Sequence, residues 1–438
     1  MLERRTPVKV EEAIECLLKY KKRGTIETVE IEKASGRILG ENLFADHDVP
    51  LFDRSPYDGF AIRAEDTVDA SRENPVKLEV VSEIGAGSVY DQQLKENQAV
   101  RIMTGAPIPE GATAVVMLEL VKNLDENGRA YMTINRPYKE GDNISFRGED
   151  TKKGTILAEK GTFINPGIVA LLATFGYKEV PVSRKPKVGV LATGSELLEI
   201  DESLVPGKIR NSNSYMVLSQ IERAGGEGIF LGQLSDDFDL CFRHVEKALQ
   251  QVDFLITTGG VSVGDYDYLP DIYRKLEANV LFNKVGMRPG SVTTVAEKDG
   301  KLLFGLSGNP SACYVGFELF VRPVIRFYLQ CPHLFVRSEE AVLGKDFPKP
   351  NPFTRFVRGE MTYSGGNVFA APTGLDKSGV VSSLASANVL IVLPGGTRGY
   401  KQGMRVQVLL LDDQQGSDQF GNPFQKKESS EERMQLRE

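Results

Sequence analysis

The sequence of 438 residues has no tryptophan and is poor in two residue types that bind metals, with three histidines and four cysteines. The cysteines (Cys16, Cys241, Cys313 and Cys331) lie far apart and form no Cys-x-x-Cys pair. A zinc site built from protein side chains alone is therefore not expected. Widely spaced thiols of this kind are typical of buried cysteines in a reducing cytosol.

Long apolar runs are also missing. A membrane helix needs about 18 uninterrupted apolar residues, and the best stretch, 317–329, contains Glu318, Arg322, Pro323 and Arg326. The first seven residues lack the apolar core of a signal peptide. The net charge of −7 gives no basic field for nucleic acid. We expect a soluble, cytoplasmic protein that binds neither membranes nor nucleic acid.

The chain is long enough for two to four domains, and its texture changes along its length. Residues 46–142 contain short β-type runs between turn signals, and 186–330 alternate strand and helix patterns. Residues 340–412 return to β texture, and the polar stretch 413–438 is predicted to be a disordered tail. The pattern predicts a multidomain α/β plus β protein with a mostly parallel central sheet.

The most informative stretch is 252–267, where an apolar strand pattern ends in Gly259 and Gly260 and continues to Asp265 and Asp267. Ligands of parallel α/β sheets bind at the carboxyl ends of the strands. Paired glycines let backbone N–H groups approach an anion, and carboxylates can hold a hard cation. The stretch therefore predicts a site for a phosphate-bearing ligand with a metal.

Two further loops share this design, Gly194-Ser195-Glu196 and Ser307-Gly308-Asn309-Pro310. Taken alone, Ser195 is more typical of a helix cap, with Glu196 in the first turn of the helix. The second loop leads into a helix predicted from Ser311, whose free N–H groups favour an anion. Three such loops at corresponding strand ends predict one anion site.

Charged residues near these loops have two interpretations each. Lys284 and Arg288 lie four apart in a segment interrupted by glycine, where they could point at phosphate or be solvated surface. Asp236 follows a short strand and could serve the site or cap a helix.

A serine hydrolase is the main alternative from the residues themselves, because Gly260–Gly264 fits Gly-x-Ser-x-Gly. A triad in that order needs a histidine downstream of Ser262, and His333 is the sole candidate, with no clear strand before it. Walker A and Gly-x-Gly-x-x-Gly motifs do not occur, which disfavours P-loop and dinucleotide-fold enzymes.

Over about residues 1–412 the chain resembles the molybdopterin molybdenumtransferase family, because six motifs occur in the family's order. They are Asp-Gly-Phe-Ala (58–61), Met-Thr-Gly-Ala-Pro (103–107), Arg-Gly-Glu-Asp (147–150), Thr-Gly-Ser-Glu-Leu (193–197), Gly-Gly-Val-Ser-Val-Gly-x-x-Asp (259–267) and Gly-Asn-Pro (308–310).

The resemblance implies four domains. They are a discontinuous linking domain (1–45 and 143–185), an inserted β-rich domain (46–142), a three-layer α/β molybdopterin-binding domain (186–330) and a C-terminal β-barrel (335–412). It also implies an elongated homodimer whose cleft pairs one subunit's α/β domain with the other's inserted domain.

The implied reaction inserts molybdenum from molybdate into adenylylated molybdopterin and releases AMP, with a divalent cation such as Mg²⁺. The implied catalytic residues are Asp58, Thr104, Asp150, Glu196, Asp236 and Asp267. Glu196 and Asp267 are assigned to the metal or nucleotide phosphate, while Asp58 and Thr104 would reach in from the partner subunit. The implied substrate-binding residues are Gly194, Ser195, Gly259, Gly260, Ser262, Gly264, Lys284, Arg288, Ser307, Gly308, Asn309, Pro310, Arg358 and Ser378.

The sequence departs from the family pattern at three places. Ser291 stands where the family often has a lysine, and Ser307 stands where it often has a proline. Arg54-Ser55-Pro56-Tyr57 replaces the frequent Asn-Ser-Ala-Met. The loss of a lysine implies weaker anion binding.

Two alternatives to the transferase remain open. A molybdopterin adenylyltransferase is usually one short domain, so the flanking β domains disfavour it. A non-catalytic molybdopterin-binding scaffold is the other, since family members can be recruited by partner proteins, an adenylyltransferase that supplies the substrate among them.

Overall fold

The computed structural model describes residues 6–234, 237–260, 268–350, 352–413, 416 and 417. The chain divides into two compact units. The first contains Met1–Glu41, Lys160–Val169 and Lys178–Glu438, and the second contains Asn42–Glu159 and Ala170–Tyr177. The finer division into four domains stays a prediction, and most of the predicted disordered tail lies outside the described residues.

The α-helices of the described residues are α1 (Val10–Leu18), α2 (Pro166–Thr174), α3 (Ser212–Arg223), α4 (Phe238–Gln251), α5 (Leu269–Lys275), α6 (Pro310–Gly316), α7 (Arg322–Tyr328) and α8 (Ser382–Ala385). Short 3₁₀ turns occupy Ile31–Lys33, Ala64–Thr67 and Leu118–Leu120, and a π-helical turn occupies Phe317–Val321.

The strands up to the central sheet are β1 (Ile26–Glu30), β2 (Leu43–Phe44), β3 (Gly59–Ile62), β4 (Val76–Ile84), β5 (Gln98–Ile102), β6 (Ala114–Met117), β7 (Lys122–Glu126), β8 (Arg129–Ile134), β9 (Ile156–Ala158) and β10 (Glu179–Ser183). The next are β11 (Lys187–Thr193), β12 (Leu197–Leu198), β13 (Ile209–Arg210), β14 (Glu227–Leu234), β15 (Phe254–Thr258), β16 (Asn279–Phe282), β17 (Met287–Arg288), β18 (Thr294–Lys298) and β19 (Lys301–Leu306). The last are β20 (Ser338–Leu343), β21 (Thr354–Ser364), β22 (Asn367–Pro372), β23 (Val389–Leu393) and β24 (Arg405–Leu410).

The first unit contains a central six-stranded sheet in the order β14-β11-β15-β19-β18-β16. The first four strands are parallel, and β18 and β16 extend the sheet by antiparallel pairing. Alternate residues of β11 face different cores: Val188 and Val190 pack with α3, and Leu191 packs with α4 and α5. Apolar residues on both faces require helices on both sides, which confirms the predicted three-layer α/β domain.

The C-terminal strands close into a barrel. The order β21-β22-β20-β24-β23 returns to β21, because β21 pairs with β23 as well as with β22. Val357 and Ile391 point to the barrel core, whereas the adjacent Phe356 and Leu390 join the core of the α/β domain. Strand alternation thus packs the barrel against the α/β domain, and the predicted C-terminal β-barrel is confirmed.

The second unit is built on a six-stranded mixed sheet in the order β6-β3-β5-β4-β8-β7. Phe60 and Ile62 on β3 pack into one apolar cluster, and the intervening Ala61 packs into another with Val100 and Val115. Both faces of the sheet are therefore covered, and the predicted inserted β-rich fold is confirmed.

Helix predictions needed two corrections at their ends. Thr6-Pro7, followed by Val10 and Ile14, predicts a capped helix that starts there. The structure instead starts α1 at Val10, because the Glu12 carboxylate accepts a hydrogen bond from the Lys9 N–H at 3.2 Å and caps the helix there. The single long helix predicted from Ser311 begins at Pro310 and is interrupted by the π-helical turn. None of the helices described is both long and apolar enough to cross a membrane.

Candidate functional site

The three predicted loops meet at one edge of the central sheet. Strands β11, β15 and β19 are adjacent and parallel, so their carboxyl ends lie side by side. Residues 193–196, 259–260 and 307–310 follow these ends and line one cavity of about 1270 Å³. The sheet topology therefore brings together three loops that are distant in sequence.

Gly259 and Gly260 are required by the close approach of β11 and β15. Gly259 has φ +92° and Gly260 has φ +66°, both in the region that favours glycine. A Cβ on Gly259 would lie 2.6 Å from the Thr193 hydroxyl oxygen and 2.8 Å from the Thr193 carbonyl oxygen. The glycines thus leave the backbone bare at the cavity wall, where a ligand can approach it closely.

The loop after β11 does not start a helix, so the helix-cap interpretation of Ser195 is wrong. It continues into the short strand β12, which pairs with β13. Ser195 and Glu196 are exposed and line the cavity. Among the described residues no side chain or backbone group donates a hydrogen bond to the Glu196 carboxylate, so the carboxylate is available to a ligand.

Asparagines at the start of α3 form a part of the cavity that the sequence did not predict. The Asn211 side chain accepts a hydrogen bond from the Ser214 N–H at 3.2 Å and caps the helix. The Asn213 amide donates to the Gly308 carbonyl at 2.8 Å and ties α3 to the third loop. Both asparagines are buried and line the cavity. The Asn-Ser-Asn-Ser run at 211–214 is typical of a helix N-cap, but nothing in the run indicates the contact between Asn213 and Gly308.

The β-barrel supplies a cationic wall. Asp376 lies 3.0 Å from the Arg355 guanidinium and 3.4 Å from that of Arg358, and the Lys349 ammonium lies 3.0 Å away. Arg358 is almost fully buried and donates further hydrogen bonds to the Leu375 carbonyl and the Ser383 hydroxyl. Burial lowers the pKa of the Arg358 guanidinium, and Asp376 opposes that shift.

The barrel wall is joined to the α/β domain by hydrogen bonds from the backbone and the side chain of Ser311. The Ser311 N–H donates to the Ser378 carbonyl at 3.0 Å, and the Ser311 hydroxyl donates to the Val380 carbonyl at 2.8 Å. The parallel pairing of β17 with β21 places Arg288 opposite Arg355. Arginines from two domains therefore face the same cavity.

The described part of the cavity wall carries more positive than negative charge. Its described lining residues include four arginines, Arg210, Arg288, Arg355 and Arg358, and two carboxylates, Glu196 and Asp376. An excess of guanidinium over carboxylate in a concave site concentrates anions. Arginine is also the side chain best suited to bind phosphate or another oxyanion through two donors at once.

Most of the predicted substrate-binding residues line this cavity: Gly194, Ser195, Gly259, Gly260, Arg288, Ser307, Gly308, Asn309, Pro310, Arg358 and Ser378. Lys284 does not line it; the Lys284 carbonyl accepts a hydrogen bond from the Val8 N–H at 3.0 Å, in a segment paired with the N-terminus. The predicted residues Asp236, Ser262, Gly264 and Asp267, like the neighbouring Asp265, lie outside the described residues.

Three predicted catalytic residues belong to the second unit. The Asp58 carboxylate accepts hydrogen bonds from the Thr104 N–H at 2.7 Å and the Thr104 hydroxyl at 2.8 Å. These bonds, the backbone one first, lower the pKa of Asp58. Asp150 is exposed. Asp58 and Thr104 thus form one structural element although 46 positions separate them.

The described residues contain no group of three or more histidine, cysteine, aspartate or glutamate side chains that could hold a metal ion. The predicted metal pair joins Glu196 to Asp267, and only Glu196 lies in the described part of the chain. On the cavity wall described, Glu196 and Asp376 are the carboxylates, and Asp376 is already paired with cations. Glu196 is therefore the one available to a cation there.

Family models match most of the chain in three pieces. Residues 8–176 match the MoeA N-terminal region (domain I and II), and residues 189–326 match the model described as a probable molybdopterin binding domain. Residues 340–411 match the MoeA C-terminal region (domain IV). The second piece contains the three loops, and the third contains the cationic wall.

Relatives match nearly the full length. A molybdopterin molybdenumtransferase of Bacillus subtilis (strain 168) is 59% identical, over 95% of this chain and 97% of the relative. One of Staphylococcus aureus (strain Mu50 / ATCC 700699) is 48% identical, over 96% and 99%. The crystal structure of the molybdopterin biosynthesis moeA protein from Pyrococcus horikoshii OT3 is 34% identical, covers 92% of this chain and 100% of that one, and superimposes with a TM-score of 0.78.

The three-layer domain with its loop-lined cavity, together with a β-rich domain and a β-barrel in the same chain, defines a protein of molybdenum cofactor biosynthesis. The named relatives match nearly the full length of the chain, and they narrow this class to one family. The chain belongs to the molybdopterin molybdenumtransferase family of enzymes.

Proposed function

We propose that this protein inserts molybdenum from molybdate into adenylylated molybdopterin and releases AMP in a Mg²⁺-dependent reaction. The observation that carries the proposal is the convergence of three glycine-containing loops and four arginines on one cavity. The names of the relatives support the transfer of molybdenum to molybdopterin. The arginines that line the cavity support a multiply charged anion, such as adenylylated molybdopterin, as the substrate.

The cavity suits a large, multiply charged substrate. Its volume of about 1270 Å³ exceeds the roughly 300–1,000 Å³ of ordinary small-molecule sites. A pterin joined to a nucleotide through phosphates needs such room. The bare backbone at Gly259 and Gly260 supplies close approach to the phosphates, and Arg288 supplies charge.

The barrel wall suits the second substrate. Molybdate is a tetrahedral dianion. Arg355 and Arg358 carry two positive charges, of which the Asp376 carboxylate balances one. Ser378 adds a hydroxyl on the same wall. An oxyanion held there would lie in the same cavity as the phosphate loops, which is the proximity that an insertion reaction needs.

Mg²⁺ is proposed to bind at Glu196. This cation takes one or two carboxylates together with phosphate oxygens and water, and the exposed Glu196 carboxylate on the cavity wall fits that demand. Asp267 is proposed as the second carboxylate, with Asp236 a weaker third candidate. When bound, the cation would neutralise charge on the phosphate that leaves with AMP.

We also propose that the protein acts as a cytoplasmic homodimer. Asp58 and Thr104 of one subunit would complete the cavity of the other, with Asp150 as a further acid. The lowered pKa of Asp58 supports this role, because an ionised carboxylate is held in a fixed position by Thr104. An adenylyltransferase would supply the substrate.

The test supplies purified protein with adenylylated molybdopterin, molybdate and Mg²⁺, and follows AMP release together with the molybdenum content of the product. We expect molybdate-dependent AMP release that Asp267→Asn largely abolishes. Asp265→Asn, the same charge change two residues away, is the matched control and retains activity, because the family motif at 259–267 fixes the acid at 267 and leaves position 265 open.

Two results would overturn the proposal. AMP that forms only from ATP and bare molybdopterin would identify an adenylyltransferase. Binding of molybdopterin without turnover would identify a scaffold.

A further inference from the structure

The loop that carries Glu196 is held by three separate hydrogen bonds. The Gln233 side-chain amide donates to the Gly194 carbonyl at 2.5 Å, and the Lys208 ammonium donates to the Ser195 carbonyl. The Ile209 N–H donates to the Glu196 carbonyl at 2.9 Å. Three successive carbonyls of one loop are thus fixed by three different neighbours.

This arrangement bears directly on the Glu196 carboxylate. Gly194 has φ +133°, and a Cβ there would collide with the Glu196 carboxylate, so the loop curls back over its own glycine. Since the carboxylate accepts no hydrogen bond from the described residues, its position depends on the backbone beneath it. Whatever holds the backbone of the loop also places the acid.

Gln233 is the anchor that lies on a rigid element. It belongs to β14, where it is paired with Ala192 of β11 next to a register shift in that ladder. Its side chain is partly buried, whereas Lys208 is exposed and extends from a loop. A short amide on a strand of the sheet fixes its partner better than a flexible ammonium in water does.

We propose that Gln233 is a positioning residue that holds Glu196 where it meets the cation and the nucleotide phosphate. The inference rests on the proposed function, since it assigns Gln233 a task only through Glu196. The Gln233 bond reaches the backbone two residues before Glu196, so it is an outer contact of that carboxylate. The loss of an outer contact typically weakens metal binding by about 10–100-fold.

The test variant is Gln233→Glu, which keeps the shape of the side chain and replaces the N–H donor by an oxygen that faces the Gly194 carbonyl. Gln251→Glu is the matched control, because Gln251 is exposed at the end of α4. The Mg²⁺ affinity is measured by calorimetric titration into protein saturated with AMP. We expect about a tenfold loss for Gln233→Glu and none for Gln251→Glu.

Two further readouts separate positioning from general damage. The molybdate concentration for half-maximal AMP release should stay unchanged in Gln233→Glu, because Arg355 and Arg358 belong to the barrel wall. In a Glu196→Gln background, Gln233→Glu should cause no additional loss of Mg²⁺ affinity, since coupled residues are not additive.

The inference is overturned if Gln233→Glu binds Mg²⁺ as the unaltered protein does, or if its loss is the same with and without Glu196. Should Gln233→Glu fail to fold, Gln233→Met removes the donor without adding charge and is held to the same outcomes. Failure of the unaltered protein to release AMP would overturn the proposed function, whereas normal turnover with an unaffected variant would overturn the inference alone.

Discussion

Asp376→Asn should make the protein less stable and, at the same time, a stronger binder of oxyanions. Asp376 is the carboxylate shared by Lys349, Arg355 and Arg358. The asparagine keeps the shape and loses the charge. Three cations would then share a partly buried space without their counter-charge, and only an incoming anion could replace it.

The size of the effect follows from the exposure of each partner. Lys349 is 43% exposed, so its pair contributes at most about 1 kcal/mol. Arg355 and Arg358 have side chains 13% and 1% exposed, and breaking a buried pair on one side costs about 3–5 kcal/mol. Arg358 retains its hydrogen bonds to Leu375 and Ser383 in the variant. We therefore expect the free energy of unfolding to fall by about 3 kcal/mol, the lower end of that range.

The assay is thermal unfolding in a molybdate series, with Asp346→Asn as the control. Asp346 is an exposed barrel carboxylate paired with Lys401 outside the cavity. Without molybdate, Asp376→Asn should unfold at a lower temperature than the control. Molybdate should then stabilise Asp376→Asn more than the control, because a ligand stabilises in proportion to the logarithm of its concentration over Kd. Equal unfolding temperatures, or no added response to molybdate, would contradict this role of Asp376.

Three other predictions use separate features. Thr104→Val removes one hydrogen bond to Asp58, so NMR titration should show that the pKa of Asp58 rises. Because folding lowers that pKa, the Asp58 carboxylate stabilises the fold above its unfolded-state pKa, and this stabilisation is lost as the pH falls through the folded-state pKa. Gly259→Ala should lose about 1–3 kcal/mol of unfolding free energy, measured by urea titration, because φ is +92° there. Half-buried Cys16 should react with a thiol reagent under native conditions before Cys313, whose pKa burial raises, and equal rates would contradict this.

The fold was predictable wherever local pattern and burial agree. The apolar β-branched runs of β11 and β15 are buried on both faces, so they carry a strong signal, and their order along the chain implied parallel pairing. Helix ends were less predictable. The helix α1 begins at Val10 because Glu12 caps it there, although Thr6 and Pro7 are an equally typical helix start. The interruption of the long helix by a π-helical turn has no local signal in Phe317–Val321.

The glycine loops were predictable because parallel strands place their carboxyl ends at one edge of the sheet. The cationic wall was predictable only in part. Family resemblance predicted Arg358 and Ser378 as site residues. It did not predict Arg355 or Asp376, because each is indistinguishable in the sequence from an ordinary polar residue of a strand or loop. Their role depends on the packing of the barrel against the α/β domain, which long-range contacts such as that of Ser311 with Ser378 determine.

In the proposed function, one cavity couples release of AMP to insertion of molybdenum. Its most direct test is a single-turnover experiment with adenylylated molybdopterin, molybdate and Mg²⁺ that counts AMP and inserted molybdenum together. We expect equal amounts of the two, formed at the same rate, and neither product when Glu196 is changed to Gln. AMP release that proceeds at full rate without molybdate, or molybdenum insertion without AMP, would contradict it.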